Sequence, residues 1–258
     1  MQELNISELR DIQLRILSSV HQFCVDNNLR YSLSGGTMIG AIRHKGFIPW
    51  DDDVDLMMPR KDYEYLIKHF NESFDDIKVL TYRNCDKYPF LFAKLYDTNT
   101  IRIEYWGETG VNIDVFPIDG LPDTESAASF NKKIQLFKSL AHRSTAPYAQ
   151  MSFQTRLKRF LVKAVLPSRN WLINWIENKL TASSIEKSPV SGAFVGSYGE
   201  KEYMPSSVFS SYVNVEFEGK EFACIENYDY YLSHLYGDYM SLPPIENRVA
   251  HEFKAFRL

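Results

Sequence analysis

The sequence predicts an α+β fold: a mixed β-sheet core flanked by helices and interrupted by a helical insertion. Three observations carry that reading. Short runs rich in Val, Ile, Tyr and Phe alternate with polar residues in two stretches, 77–116 and 193–224. Between them, residues 123–183 repeat apolar side chains at helical spacing. The composition is ordinary for a globular protein, 45% hydrophobic and 24% charged over 258 residues, which is enough chain to bury a charged site. No internal repeat or linker divides it. The expectation is one domain over residues 1–258, with 123–185 as the insertion.

The elements follow in chain order. Leu9, Ile12, Ile16, Val20 and Phe23 make residues 5–28 an amphipathic helix, which Asn5 and Glu8 can open as a capping box. YSLSGG reads as a short strand ending in a glycine pair, and Thr37 to Arg43 as a short helix. KGFIPW turns the chain, DVDLMMP is a strand stopped by Pro59, and Lys61 to Phe70 is a helix. DIKVLTYR, FLFAKLYD, IRIEYW and VNIDVF are strands. Pro147 and Pro167 divide the insertion into about three helices. YVNVEF and KEFACI form a hairpin across Glu218–Gly219, although Glu is a poor choice at that turn. Asn227 to Tyr236 is the last helix.

Several function classes are set aside by the bulk numbers. A formal net charge of −4 gives no basic field for nucleic acid. Cys24, Cys85 and Cys224 are too far apart for a zinc motif or a disulfide framework and suit a reducing compartment. The first residues lack a signal-peptide pattern, and no apolar run is long enough to span a bilayer. A cytoplasmic location is expected.

The stretch HKGFIPWDDDVDLMMP crowds Asp51, Asp52, Asp53 and Asp55 into an apolar setting. On a strand, Asp53 and Asp55 share one face, with Val54 and Leu56 on the other. Two carboxylates on one face repel and are costly to desolvate, so a cation must compensate. Mg²⁺ (or Mn²⁺) suits this, because it is held by one or two carboxylates together with substrate phosphates. A solvated acidic turn is the plain alternative, but FIPW and LMMP should anchor the run by burial. An EF-hand does not fit: Leu56 stands where the loop needs Gly, and Asp62 where it needs Glu. In VNIDVFPID, Asp114 sits mid-strand, where Asp is unfavourable. It is either an ion pair, with Lys94 the obvious partner, or a third metal ligand or general base. Upstream, Gly35, Gly36 and Thr37 let backbone approach a phosphate at a helix start, and Arg43 and Lys45 can neutralise its oxygens.

Together these motifs resemble the LicD family. The residues that carry the resemblance are Ser34-Gly35-Gly36-Thr37, Ile39 to Gly46, Ile48-Pro49-Trp50-Asp51-Asp52-Asp53-Val54-Asp55 and Ile113 to Pro117, with Tyr236 to Met240 and Leu242-Pro243-Pro244 late in the chain. That family is similar to bacterial phosphocholine transferases of teichoic acid, lipopolysaccharide and capsule, and to fukutin-related ribitol-phosphate transferases. The resemblance implies a nucleotidyltransferase-like sheet with Gly35 and Gly36 in the loop and Asp53, Asp55 and Asp114 as catalytic and metal-binding residues. It further implies a CDP-activated alcohol such as CDP-choline as donor, and a glycan hydroxyl as acceptor, on a polymer or its lipid-linked precursor. Lys94 or Arg43 would contact phosphate, Arg248 and His251 would contact donor or acceptor, and His44 is expected to be structural. Asp51 and Asp52 would shape the loop by pairing with Arg43 or Lys45.

Two rival readings are a metal-dependent glycosyltransferase, which also uses Asp-x-Asp, and a non-catalytic nucleotide- or glycan-binding protein. Residues 153–180 add a further expectation. Six Lys or Arg and one acid, Glu177, lie among Trp171, Trp175 and other apolar residues, a pattern suited to peripheral contact with the inner face of the membrane. Helices packed on the core with a wet basic face are the plainer reading of the same pattern.

Overall fold

The structure, a computed structural model, describes residues 1–122, 126–145, 168–248 and 254–258. Strand β1 (Gln2–Glu3) leads into α1 (Ile6–Asp26). The predicted capping box closes: the Glu8 amide donates to Asn5 Oδ1 and the Asn5 amide to a Glu8 carboxylate oxygen, each at 3.0 Å. Leu9, Ile16 and Val20 of α1 are fully buried, as their spacing predicts, and Leu17 joins them. Strand β2 (Ser32–Leu33) hands over to α2 (Gly35–Ile39), which continues as a π-helical turn over Gly40–His44. The helix therefore begins at the glycine pair, two residues before the predicted Thr37.

Strand β3 spans Asp55–Pro59. It starts two residues later than the sequence predicts, so Asp53 and Val54 are the extended approach to the strand. The side-chain alternation nevertheless holds, because Val54 and Leu56 are both fully buried while Asp53 and Asp55 are not. Next come α3 (Arg60–His69), β4 (Ile77–Leu80), β5 (Ala93–Asp97), β6 (Thr100–Glu104), β7 (Gly107–Thr109) and β8 (Asn112–Gly120). Where the sequence suggests a helical insertion, α4 (Ala127–Thr145) and α5 (Arg169–Leu180) are helices; Pro147, Pro167 and the helix expected between them lie outside the described residues.

The predicted strand region at 193–224 is broken. Strands β9 (Val190–Gly192) and β10 (Met204–Pro205) flank a segment that ends in a 3₁₀ turn at Gly199–Glu202. Gly196 and Gly199 lie in the bends and turns that replace strand where alternation alone suggested it. The hairpin of β11 (Tyr212–Phe217) and β12 (Lys220–Ile225) forms as predicted. Glu218 and Gly219 both take positive φ, +52° and +69°, as a two-residue turn of this kind requires. The turn tolerates Glu because Glu218 is bonded in place: its amide donates to the Lys45 carbonyl (2.8 Å), and its carboxylate accepts the Phe47 N–H (2.9 Å). Helix α6 (Tyr228–Tyr236) and strand β13 (Ala255–Arg257) complete the described chain.

The central sheet is mixed, which bears out the α+β prediction. Its main path runs β10-β9-β8-β3-β2, with β5 joining β8 to β4; β3 and β8 are parallel and the other pairs antiparallel. A second sheet runs β1-β13-β6-β7. One hydrophobic cluster holds α1 against the sheet. A second gathers Phe130, Ile134, Ile173 and Ile176 of α4 and α5 with Leu121 and Phe194. Phe116 of β8 packs against both, and the cleft described below opens beside it.

Candidate active site

Parallel pairing of β3 with β8 sets Asp55 directly opposite Asp114, and antiparallel pairing of β8 with β5 sets Asp114 opposite Lys94. Three charged side chains thus stand in register across three neighbouring strands. Asp53, Asp55 and Asp114 all line one cleft of about 660 Å³. The Lys94 ammonium donates to Asp114 Oδ1 at 2.6 Å and to Asn112 Oδ1 at 3.0 Å. The ion pair weighed for Asp114 therefore exists, at the edge of the functional cleft.

The loop that delivers Asp53 is held from behind. Arg10 of α1 donates to the carbonyls of Ile48, Pro49 and Asp51, and Gln13 to those of Asp52 and Asn112. Asp52 is buried and its carboxylate pairs with Arg102 at 3.2 Å. The partner expected for it, Arg43 or Lys45, lies elsewhere. Lys45 is exposed at the end of the π-helical turn, and Arg43 donates to the carbonyls of Tyr239 and Ser241. Arg102 won because β6 brings it beside the loop, a placement that sequence distance does not reveal.

The glycine pair serves the carboxylates. Gly35 has φ +51°, and a methyl there would sit 3.2 Å from Asp55 Oδ2; one on Gly36 would sit 2.7 Å from Asp51 Oδ2. Thr37 is buried, and its Oγ1 accepts the Asp55 N–H at 2.8 Å. It fixes the strand entry that carries Asp55. Replacing Thr37 by Val keeps the shape and strands a buried N–H, which should cost about 1–3 kcal/mol in denaturant unfolding and lower transfer with it.

The charge balance of the cleft is negative. Burial, then Asp51, Asp114 and Asp52, push the Asp53 carboxyl up to about 7. Burial, then Asp53, Asp114 and Asp51, hold Asp55 well above the usual carboxylate range, with Lys94 pulling the other way. Carboxylates in that state favour a cation. Among the described residues no three ligand-type side chains stand ready as a metal cage. The Asp53–Asp55 pair still fits Mg²⁺, which takes few protein ligands and completes its shell with phosphate oxygens and water.

The opposite wall of the cleft comes from residues that the sequence reading did not single out: Phe90 and Phe92 before β5, Gln135 and Lys138 on α4, and Val195 with Ser197 after β9. Phe90 and Phe92 stack at 4.9 Å, and Phe92 meets Phe116 at 4.4 Å. Their only sequence signal was an excess of aromatics, which a core also explains. Arg248 does not line the cleft; its guanidinium lies over Trp50 at 5.1 Å and donates to the Pro243 carbonyl. His44 accepts from Arg43 Nε and meets Trp50 edge-on, the structural role expected of it. His251 lies outside the described residues. So does 153–167 of the expected membrane-facing stretch; the described part, α5, buries Leu172, Ile173, Ile176 and Leu180 inward. Among the described residues no helix is long and apolar enough to cross a membrane.

The mixed sheet thus carries a glycine-pair loop and, on two parallel strands, carboxylates in register. Residues 28–157 match the family model described as LicD/FKTN/FKRP, nucleotidyltransferase domain. The chain is 32% identical over 98% of its length, and 98% of the relative's, to the lipopolysaccharide cholinephosphotransferase LicD of Haemophilus influenzae. It is 28% identical over 34% of its length to the human ribitol 5-phosphate transferase FKRP, covering 17% of that longer protein. The chain belongs to the LicD family, as its motifs predict.

Proposed function

We propose that this LicD-family enzyme moves a phospho-alcohol group, phosphocholine or a similar group, from a CDP-activated donor to a hydroxyl of a cell-surface glycan or its lipid-linked precursor. The observation that carries the proposal is the set of three carboxylates lining one cleft, two of them on adjacent strands in register, in a protein of this family. The relative named as a lipopolysaccharide cholinephosphotransferase supports it over nearly the whole chain.

Asp53 and Asp55 would hold Mg²⁺ or Mn²⁺, which when bound neutralises the donor's diphosphate and the charge that spreads over it during transfer. Gly35 and Gly36 keep the backbone close to Asp55 and Asp51, and Thr37 holds Asp55 to its place. The acceptor hydroxyl attacks the distal phosphorus; a new P–O bond forms, the P–O bond to CMP breaks, and CMP leaves. Lys94 steers Asp114 toward the cleft, and the proposal gives Asp114 the acceptor's proton. The aromatic wall of Phe90, Phe92 and Phe116 excludes water from the reacting phosphate. The work is done in the cytoplasm or at the inner face of the membrane, where a lipid-linked acceptor is within reach.

The test is thermal shift with Mg²⁺ and a panel of CDP-choline, CDP-glycerol, CDP-ribitol and UDP-sugars. Stabilisation by CDP-alcohols and not by UDP-sugars is expected. Stabilisation by a UDP-sugar alone would establish the glycosyltransferase reading instead, and a response to none would favour a non-catalytic role.

A further inference from the structure

A second, smaller pocket of about 140 Å³ opens from the same site, and Asp55 and Phe116 border both. Its other walls include Tyr198, Tyr231, Tyr236 and Glu202. We infer that this pocket receives the cationic head of the transferred alcohol, a quaternary ammonium, and that Glu202 sets the preference for it; the inference rests on the phospho-alcohol transfer proposed above.

Size comes first. A cavity of about 150 Å³ is known to hold benzene. A trimethylammonium head is of that order, whereas a nucleoside, with a base and a ribose ring, is too large for it. The nucleoside therefore belongs in the 660 Å³ cleft with its aromatic wall. Asp55 stands where the two spaces meet, which places the phosphate between head group and nucleoside.

Charge comes second. Two carboxylates, Asp55 and Glu202, border the small pocket, and no Lys or Arg does. Glu202 is only 5% exposed. Among the described residues it has no ion-pair partner within 4 Å, and its one hydrogen bond is a long one from the Tyr198 N–H, 3.4 Å. Lys138 of α4 is the cation that acts on it, but that ammonium is bound to the Val195 and Gly196 carbonyls at 2.6 and 2.8 Å. A buried carboxylate so poorly compensated attracts a cation into the space beside it.

Ring chemistry comes third. A quaternary ammonium has no N–H to donate and is held instead by aromatic rings and a nearby negative charge. Tyr198 and Tyr236 meet edge to face, with centroids 5.2 Å apart, and Tyr231 is fixed by its hydroxyl's bond with Ser34 Oγ (3.0 Å). A neutral polyol would leave Glu202 uncompensated.

Calorimetry on the full chain at pH 8 with Mg²⁺ tests this, using phosphocholine, glycerol phosphate and CMP as probes. Wild type should bind phosphocholine at least about tenfold more tightly than glycerol phosphate. Glu202→Gln, which keeps the shape, should weaken phosphocholine about tenfold and leave the other two unchanged. Tyr198→Leu, at an exposed position, should do the same more mildly. Equal wild-type affinity for phosphocholine and glycerol phosphate, or variants that weaken all three probes alike, would overturn the inference. Selective binding without transfer from any CDP-alcohol would sustain the pocket and count against the proposed function alone.

Discussion

Replacing Asp53 by Asn should reduce transfer by at least about a thousandfold and, without divalent metal, make the protein more stable at pH 8. Both effects come from one cause. The fold crowds Asp53 against Asp51, Asp114 and Asp52 in a buried setting, which raises its pKa to about 7 from an ordinary 3.8. The folded state thus prefers the protonated form. The stability this group contributes is full below about pH 4 and is lost as pH climbs through about 7. Asn removes the repulsion, so the metal-free variant should gain on the order of 2–4 kcal/mol at pH 8. Magnesium should stabilise wild type at that pH and leave Asp53→Asn nearly unmoved. Asp55→Asn should behave alike in transfer. Wild-type turnover in either variant would contradict the role given to the pair.

The second large effect lies away from the chemistry. Arg60 on α3 grips buried Asp119 of β8 with two parallel bonds, 2.7 and 2.6 Å, and reaches Glu177 of α5 at 3.5 Å. Arg83 binds the same Glu177 at 3.0 Å. This network fastens α3 and α5 to the sheet. Arg60→Leu leaves Asp119 buried and unpaired, which should cost about 3–5 kcal/mol in urea unfolding. Adding Asp119→Leu should recover much of that loss, since the uncompensated charge is then gone. A double variant no more stable than Arg60→Leu would show that the arginine acts through packing.

Local chemistry was legible where neighbours in sequence are neighbours in space. Asn5 and Glu8 cap α1, Pro59 ends β3, and Val54 and Leu56 alternate with Asp53 and Asp55. The aspartates stood out because charge in an apolar run needs a reason. What stayed hidden were partners supplied by long-range pairing. Arg10 braces the acidic loop from a helix nearly forty residues upstream, and Arg102 reaches Asp52 across fifty. Nothing in their own segments distinguishes either from surface charge. The opposite wall of the cleft was hidden for a related reason. Lys138 sits on an unremarkable amphipathic helix, and Tyr198 and Glu202 lie in a segment whose alternation imitates a strand until its glycines turn it. Tyr236 was visible only as part of the motif that carries the family resemblance.

The most direct test of the central claim is a phosphorus NMR time course with CDP-choline, Mg²⁺ and a delipidated lipopolysaccharide glycan as acceptor. Wild type should release CMP and build a new phosphodiester signal at the same rate, with neither appearing in Asp53→Asn or without divalent metal. CMP release and phosphodiester formation that proceed undiminished in Asp53→Asn would contradict it.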